Sequence, residues 1–337
     1  MSTSTPFLVV SALIGIVATI YLTEWSRKLA EGFVGAVAGV GGGSRSGLLT
    51  LGKKPTLWFV VDDYGFNSRR WVDFGARLSG DLNVGFLNLT RGRCHVTQGG
   101  DFEVVELLGR DAVAAAIRGA GGVVPVDHLK VYPYLWRAWA RAALMNYLGG
   151  LYLDGLSLCL GPSFMTVVRN VDDATFGFEH DERVVDPVGS VAATPSPFAG
   201  WASGSGHIGW RGLCHALSDF IDAGAQSWTS AQSRNQVPAW NRKYLESVMK
   251  PIRTAEWSRR PDGRPIEIED LLGRSAGFAS GSAWEPPAAA IYLPIDKEAL
   301  DRSVTYKWFL NMSTEQILDP DSLFLWAAAA KRGGAQT

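Results

Sequence analysis

The residues best suited to chemistry lie in one stretch, from Arg141 to Asp154. Arg141 belongs to an apolar segment that ends at Gly149 and Gly150, and Asp154 closes the short apolar run 151–153. A carboxylate at a strand end can hold a divalent cation, which stabilises negative charge on a phosphate leaving group. Glycines before a strand let a ligand approach the backbone, and a guanidinium binds phosphate or orients the carboxylate. The pattern therefore predicts a site for a phosphate-bearing ligand.

The same stretch resembles the signature of glycosyltransferases with a DXD-type sugar-binding region, which include initiating mannosyltransferases and bacterial capsular polysaccharide synthesis proteins. The likeness consists of an arginine, an apolar run with tyrosine, two glycines, an aromatic-bearing strand and an aspartate. A weaker likeness extends over residues 56–245. The resemblance implies a GT-A fold, a nucleotide-diphosphate sugar as donor, and Mn²⁺ or Mg²⁺ as cofactor. It also implies transfer of a hexose to a glycan, lipid or protein acceptor, such as a glycolipid or glycoprotein, with retention of anomeric configuration.

The resemblance assigns a role to each matching residue. Asp154 is expected to face the metal ion and, with Arg141, to take part in catalysis. Gly149, Gly150 and Tyr152 are expected to contact the donor.

Two positions depart from the family pattern. Ala138 stands where the family usually has an aspartate three residues before the arginine, and Asp154 is followed by Gly-Leu-Ser without a second aspartate. The capsular branch also tends to keep only the first aspartate. Because a metal site needs anionic ligands, two alternatives stay open. One is a degenerate glycosyltransferase fold that serves as a membrane-anchored binding or scaffold protein, and the other is an unrelated α/β protein.

Five further residues are candidates for ligand contacts. Asp62 and Asp63 follow an apolar run, and ligands of α/β sheets bind beyond the carboxyl ends of strands. Either aspartate could bind the base or ribose of a nucleotide, or could cap a helix instead. His207, Trp201 and Trp228 are candidates for acceptor or sugar contacts, since tryptophan suits the faces of sugar rings. A structural histidine and core-packed tryptophans are the alternative.

The elements that must position these residues alternate between strands and helices. We predict strands over 57–61, 82–89 and 151–153, and helices over 67–78, 101–118, 135–148, 210–223 and 230–249, the last with a break at Pro238. The helix over 135–148 is predicted to end at Gly149, because helices commonly end on glycine. This alternation favours an α/β domain with a mostly parallel central sheet flanked by helices.

Three regions are predicted along the chain. They are a transmembrane anchor over 1–25, a Gly/Ala-rich linker over 26–55, and a catalytic domain over 56–330 with a donor-binding half (56–170) and an acceptor-side half (171–330). The anchor contains an apolar run, 6–22, about as long as a bilayer-crossing helix.

The flanking charges predict which side of the membrane the large domain occupies. Arg27 and Lys28 follow the apolar run, which favours a single-pass protein with a cytoplasmic domain. The N-glycosylation sequons at Asn88 and Asn311 support a lumenal alternative.

The composition argues against several functional classes. A net charge of -1 gives no basic field of the kind that holds nucleic acid. The three cysteines, Cys94, Cys159 and Cys214, are far apart in the sequence, which argues against a zinc cluster or a disulfide framework and favours a reducing compartment. No GxSxG, HExxH or P-loop pattern occurs, so hydrolase, zinc-protease and NTPase functions have little support.

Overall fold

The computed structural model describes residues 54–63, 85–169, 174–185, 191–224, 228–246, 291–293 and 312–318. The predicted anchor, most of the predicted linker and the predicted helix over 67–78 lie outside these ranges. Within them, no helix is both long enough and apolar enough to cross a membrane.

A five-stranded mixed sheet with the order β2-β1-β3-β6-β5 organises the fold. Its strands are β1 (Thr56–Val61), β2 (Glu103–Leu108), β3 (Gly150–Asp154), β5 (Ala174–Val185) and β6 (Val191–Ala202). β1 pairs in parallel with β2 and β3, whereas β6 runs antiparallel to both β3 and β5. Four of these five strands therefore run in one direction, which confirms the predicted α/β class. Two short strands, β4 (Leu158–Cys159) and β7 (Tyr292–Leu293), form a separate antiparallel pair.

Helices cover both faces of the sheet. They are α1 (Gly85–Gln98), α2 (Arg110–Gly119), α3 (Pro133–Tyr147), α4 (Met165–Val168), α5 (Ile208–Asp222), α6 (Ser230–Asn241) and α7 (Thr314–Leu318). Successive side chains of a strand point to opposite faces. Leu57, Phe59 and Leu153 accordingly pack with α1 on one face. Trp58 and Tyr152 pack with α2, α3 and α5 on the other.

Several predicted elements are confirmed with small shifts of their ends. The strand over 57–61 corresponds to β1, the helix over 135–148 to α3, the strand over 151–153 to β3, and the helix over 210–223 to α5. Proline at the first position of α3 suits a helix start, where no N–H is needed. Gly149 ends this helix with a φ of 69°, and its N–H donates to the carbonyl of Leu144 at 3.0 Å.

Two predictions in the first half of the chain are wrong. The strand predicted over 82–89 is the start of α1 from Gly85 onward, because its buried residues Phe86, Thr90 and Cys94 recur at helical spacing. The helix predicted over 101–118 is instead strand β2 followed by helix α2. Gly109 separates the two with a φ of 96°, which only glycine adopts readily.

The break predicted at Pro238 is also wrong. Pro238 lies inside α6, and the chain changes to a π-helical turn only at Arg242–Glu246. The proline is buried where α6 packs against α3 and α5, and this packing outweighs the lost backbone hydrogen bond.

Candidate functional site

The strand order reverses between β1 and β3. The chain passes from β1 to β2 on one side of β1 and then crosses to β3 on the other side. In open α/β sheets, ligands bind in the crevice beyond the carboxyl ends of the strands at such a reversal. Asp62 directly follows β1, and Asp154 ends β3 in parallel register with Val60. The two predicted carboxylates therefore lie at one edge of the sheet, which we call the carboxyl edge.

Asp154 is buried at this edge, with only 2% of its surface exposed. Its Oδ1 accepts the N–H of Leu156 at 2.9 Å, and its backbone carbonyl accepts the N–H of Ser157 at 2.9 Å. These two bonds close a tight turn of the kind that aspartate favours. Its Oδ2 lies 3.9 Å from Nε of Arg137. Asp154 therefore shapes the turn after β3 and faces a buried cation.

Two buried arginines, Arg137 and Arg141, project from the same side of α3, because residues four apart share a helix face. Arg141 donates from Nη2 to the side-chain oxygen of Asn241 at 3.2 Å, and its guanidinium lies 5.2 Å from the ring centre of Trp210. Arg137, which the sequence prediction missed, forms an ion pair with Asp154. The available signal was a second arginine one turn before Arg141 on an otherwise apolar helix.

Tyr152 lies within electrostatic range of these charges. Burial raises the pKa of its hydroxyl well above the ordinary value, and the negative charges of Asp154 and Asp62 raise it further. The positive charges of Arg137 and Arg141 oppose that rise. The hydroxyl therefore stays protonated at physiological pH and is available as a hydrogen-bond donor.

Several buried side-chain polar atoms have no hydrogen-bond partner within the part of the chain that the structure describes. Two of them are donors that belong to the apolar cluster around α3, the hydroxyl of Tyr152 and Nε1 of Trp136. Trp136 lies at the first turn of α3, and its ring is 5.0 Å from the guanidinium of Arg110. Buried polar groups nearly always have a partner, so the two donors mark positions suited to an acceptor oxygen.

Asp62 and Asp63 follow β1, and their side chains bind Arg110 at the start of α2. Nε and Nη2 of Arg110 donate to the two carboxylate oxygens of Asp62 at 2.7 and 3.1 Å, and the two side chains are only 3% and 8% exposed. Oδ1 of Asp63 accepts the backbone N–H of Arg110 at 3.1 Å, so Asp63 caps α2 from the neighbouring strand. Nη1 of Arg110 also donates to the carbonyl of Val131 at 2.6 Å, just before α3 begins. Both helices therefore start at the carboxyl edge.

Gly149 and Gly150 lie at the opposite, amino edge of the sheet. Gly150 begins β3, so it is about 13 Å from Asp154 at roughly 3.3 Å per residue. Its φ is 85°, and a Cβ at this position would stand 2.5 Å from the carbonyl oxygen of Thr56. The carbonyl of Gly149 accepts the indole N–H of Trp58 at 2.8 Å. The two glycines allow close backbone packing where β3 begins.

Two of the three residues proposed for sugar or acceptor contacts, Trp201 and His207, lie near the amino edge and away from Asp154. Trp201 pairs with Leu151 near the start of β3, and its buried ring meets that of Phe102 edge-on. His207 caps α5, with Nδ1 accepting the N–H of Gly209 at 3.2 Å.

Trp228 is half-buried and meets the ring of Phe220 edge-on, with 4.5 Å between the ring centres. Tyr152 and the three aspartates are thus brought toward the carboxyl edge, whereas the two glycines, Trp201 and His207 are near the amino edge.

No family model matches this chain, and neither a curated protein nor a solved structure matches it. The resemblance to glycosyltransferases therefore rests on the quoted residues, and the functional argument rests on the geometry of the carboxyl edge.

Proposed function

We propose that the chain is a glycosyltransferase with a GT-A-like fold, which binds a nucleotide-diphosphate sugar at the carboxyl edge of β1 and β3. It transfers the hexose to a glycan, lipid or protein acceptor. The position of Asp154 carries the proposal, because this residue ends the strand next to β1 where the strand order reverses. Nucleotides bind at this position in open α/β sheets. Asp62 and Asp63 provide further acceptor groups at the same edge for the ribose or base.

Glycosyl transfer needs positive charge near the leaving diphosphate, since negative charge grows there as the bond to the sugar breaks. Arg137 supplies a guanidinium beside Asp154. The amino ends of α2 and α3 also point toward this edge, and helix amino termini favour anions. The unpartnered donors of Trp136 and Tyr152 suit phosphate or sugar oxygens. In this proposal Arg137 takes the phosphate-facing role that the resemblance gave to Arg141.

The resemblance also implies Mn²⁺ or Mg²⁺ at Asp154. One oxygen of Asp154 accepts the N–H of Leu156, and the other faces Arg137 at 3.9 Å. Within the described ranges, no three side chains of His, Cys, Asp or Glu come together as a metal site. Both cations need several oxygen ligands, and a guanidinium competes for the same carboxylate. The described residues therefore do not fit the metal ion, and we base no step of the reaction on it.

The proposal extends to stereochemistry and location. Retention of anomeric configuration follows from the resemblance alone. The apolar run 6–22 anchors the chain in the membrane as a single-pass protein, with 56–330 on the cytoplasmic side.

The test measures nucleotide-diphosphate release by the full chain in lipid nanodiscs, supplied with a panel of UDP-, GDP- and CDP-sugars. Asp154→Asn keeps an oxygen that can accept the N–H of Leu156 but removes the charge that holds Arg137. We expect turnover of the accepted donor to fall at least about tenfold, as for other losses of transition-state electrostatics. Asp219→Asn, at an exposed position of α5, is the matched control. Equal turnover by wild type and Asp154→Asn at equal thermal stability would refute the site assignment.

One observation favours a second function, in which the fold serves as a membrane-anchored binding or scaffold protein. Ala138 occupies the place of a family carboxylate and is fully buried in the apolar cluster of α3. A carboxylate of the family pattern is therefore replaced here by an apolar side chain of the core. Calorimetry with the same panel distinguishes the two functions. The absence of heat at millimolar donor, from a folded chain, supports the scaffold.

A further inference from the structure

Cys94 and Cys159, which the proposed function does not use, lie next to each other in the fold. Cys94 belongs to α1 and Cys159 to β4, and both are fully buried in the same apolar cluster. Both thiols are free, α1 and β4 pack directly against each other, and the Cys159 thiol is close enough to influence the protonation of Cys94. The third cysteine, Cys214, is buried in the cluster on the opposite face of the sheet.

Neighbouring polar side chains fix this arrangement. Arg93, which precedes Cys94, donates from Nε to the carbonyl of Cys159 at 3.3 Å and from Nη2 to the next carbonyl at 2.9 Å. Gln98, one turn later, accepts the backbone N–H of Phe164 at 2.9 Å through Oε1. α1 is therefore attached to the segment after β3 on both sides of Cys94. The position of the thiol pair is set by this docking.

We propose that Cys94 and Cys159 are a disulfide site, oxidised when the chain folds in the presence of a low-molecular-weight disulfide such as oxidised glutathione. One protein thiolate attacks oxidised glutathione and releases one glutathione thiolate. The second protein thiolate then attacks the mixed disulfide and releases the other. Two protein thiols are oxidised, one glutathione disulfide is reduced to two thiols, and the two protein protons pass to the released thiolates.

The folded environment determines when this exchange takes place. The hydrogen bond with the Cys159 thiol and burial raise the pKa of Cys94. Because the thiolate is the reacting species, the folded dithiol is inert, and exchange occurs during folding or local opening. A chain that folds under reducing conditions keeps the dithiol, whereas one that folds under oxidising conditions acquires a covalent link between α1 and β4. The redox state of the pair therefore records the compartment in which the chain folded.

The test is the thiol content of the full chain after refolding in detergent with either reduced glutathione or a mixture of reduced and oxidised glutathione. Thiols are counted under denaturing conditions, and peptides are mapped by mass spectrometry without reduction. The sequence has three cysteines, so we expect the oxidised sample to keep one thiol and to yield a single linked pair of peptides containing Cys94 and Cys159. In Cys214→Ser, the oxidised sample should keep no thiol.

The cross-link should also raise the melting temperature, because it restricts the unfolded chain. Cys94→Ser should lose the dependence of melting temperature on glutathione while keeping the other two thiols. Retention of all three thiols after oxidative refolding of the wild type, or a disulfide that includes Cys214, would overturn the proposal. Because the peptide map uses the wild-type chain, it decides the question even where a serine variant fails to fold. The result is independent of the sugar-transfer assay.

Discussion

Replacing Arg110 with methionine should be among the most destabilising single changes at the carboxyl edge. Arg110 contacts both oxygens of Asp62 at 2.7 and 3.1 Å, and the two side chains are almost completely buried. It also donates to the carbonyls of residues 128, 129 and 131 at 3.3, 3.0 and 2.6 Å. Methionine retains an unbranched apolar stem but leaves a buried carboxylate without its ion pair with Arg110.

Removing one partner of a buried ion pair costs about 3–5 kcal/mol, most of it from the uncompensated charge. We therefore expect Arg110→Met to lower the free energy of unfolding by roughly that amount in urea denaturation. Arg110→Lys, the control, keeps the charge but loses the two-pronged contact, and its loss should be smaller.

A double-mutant cycle identifies the cause. If loss of the ion pair with Arg110 is the main cost, adding Asp62→Leu to Arg110→Met should recover part of the lost stability, because the buried negative charge is removed as well. A loss below about 1 kcal/mol for Arg110→Met, or a double variant less stable than Arg110→Met alone, would refute this reasoning.

Three further predictions concern the packing around the site. Gly150→Ala should lower the free energy of unfolding in urea strongly, because a Cβ would stand 2.5 Å from a backbone oxygen. The control Gly121→Ala has a similar φ of 77° but open space around it, so it should show only the cost of the backbone conformation, about 1–2 kcal/mol. Equal losses in the two variants would show that the clash at Gly150 does not matter. Trp58→Phe should lower the unfolding free energy by about 1–3 kcal/mol, because the carbonyl of Gly149 loses its buried donor, and an unchanged value would contradict the role of that hydrogen bond. Burial lowers the pKa of His128, so as the pH falls below about 6.5 the unfolded chain binds a proton before the folded chain does, and the free energy of unfolding should decrease. This dependence of stability on pH should be weaker in His128→Gln. An identical pH profile for wild type and variant would contradict the role given to His128.

The elements that could be predicted from the sequence are those with strong local signals. β1 is a compact apolar run ended by Asp62, and α3 begins at Pro133 and ends before Gly149. The strand β2 could not be distinguished from a helix, because six residues of mixed polarity fit both periods. Its parallel pairing with β1, which is a tertiary interaction, decides its conformation.

The candidate site was predictable only in part. The neighbouring positions of Asp62 and Asp154 follow from the rule that parallel strands end at one edge. The separation of Gly150 from Asp154 follows from strand geometry alone, because the two residues are the first and the last of the extended strand β3 and therefore lie at its opposite ends. The contact of Arg137 with Asp154 could not be predicted from the sequence, because Arg137 and Arg141 lie on the same helix face and the contact depends on how α3 docks on the sheet.

Hydrogen–deuterium exchange of the full chain in nanodiscs, with and without saturating nucleotide-diphosphate sugar, tests the central claim most directly. Donor binding at the carboxyl edge should slow exchange in the segments around residues 60–63, 108–112, 131–138 and 154–157. The amino-edge segments, 148–151 and 204–208, should exchange at an unchanged rate. Protection confined to the amino edge, or no protection with any donor of the panel, would contradict the account.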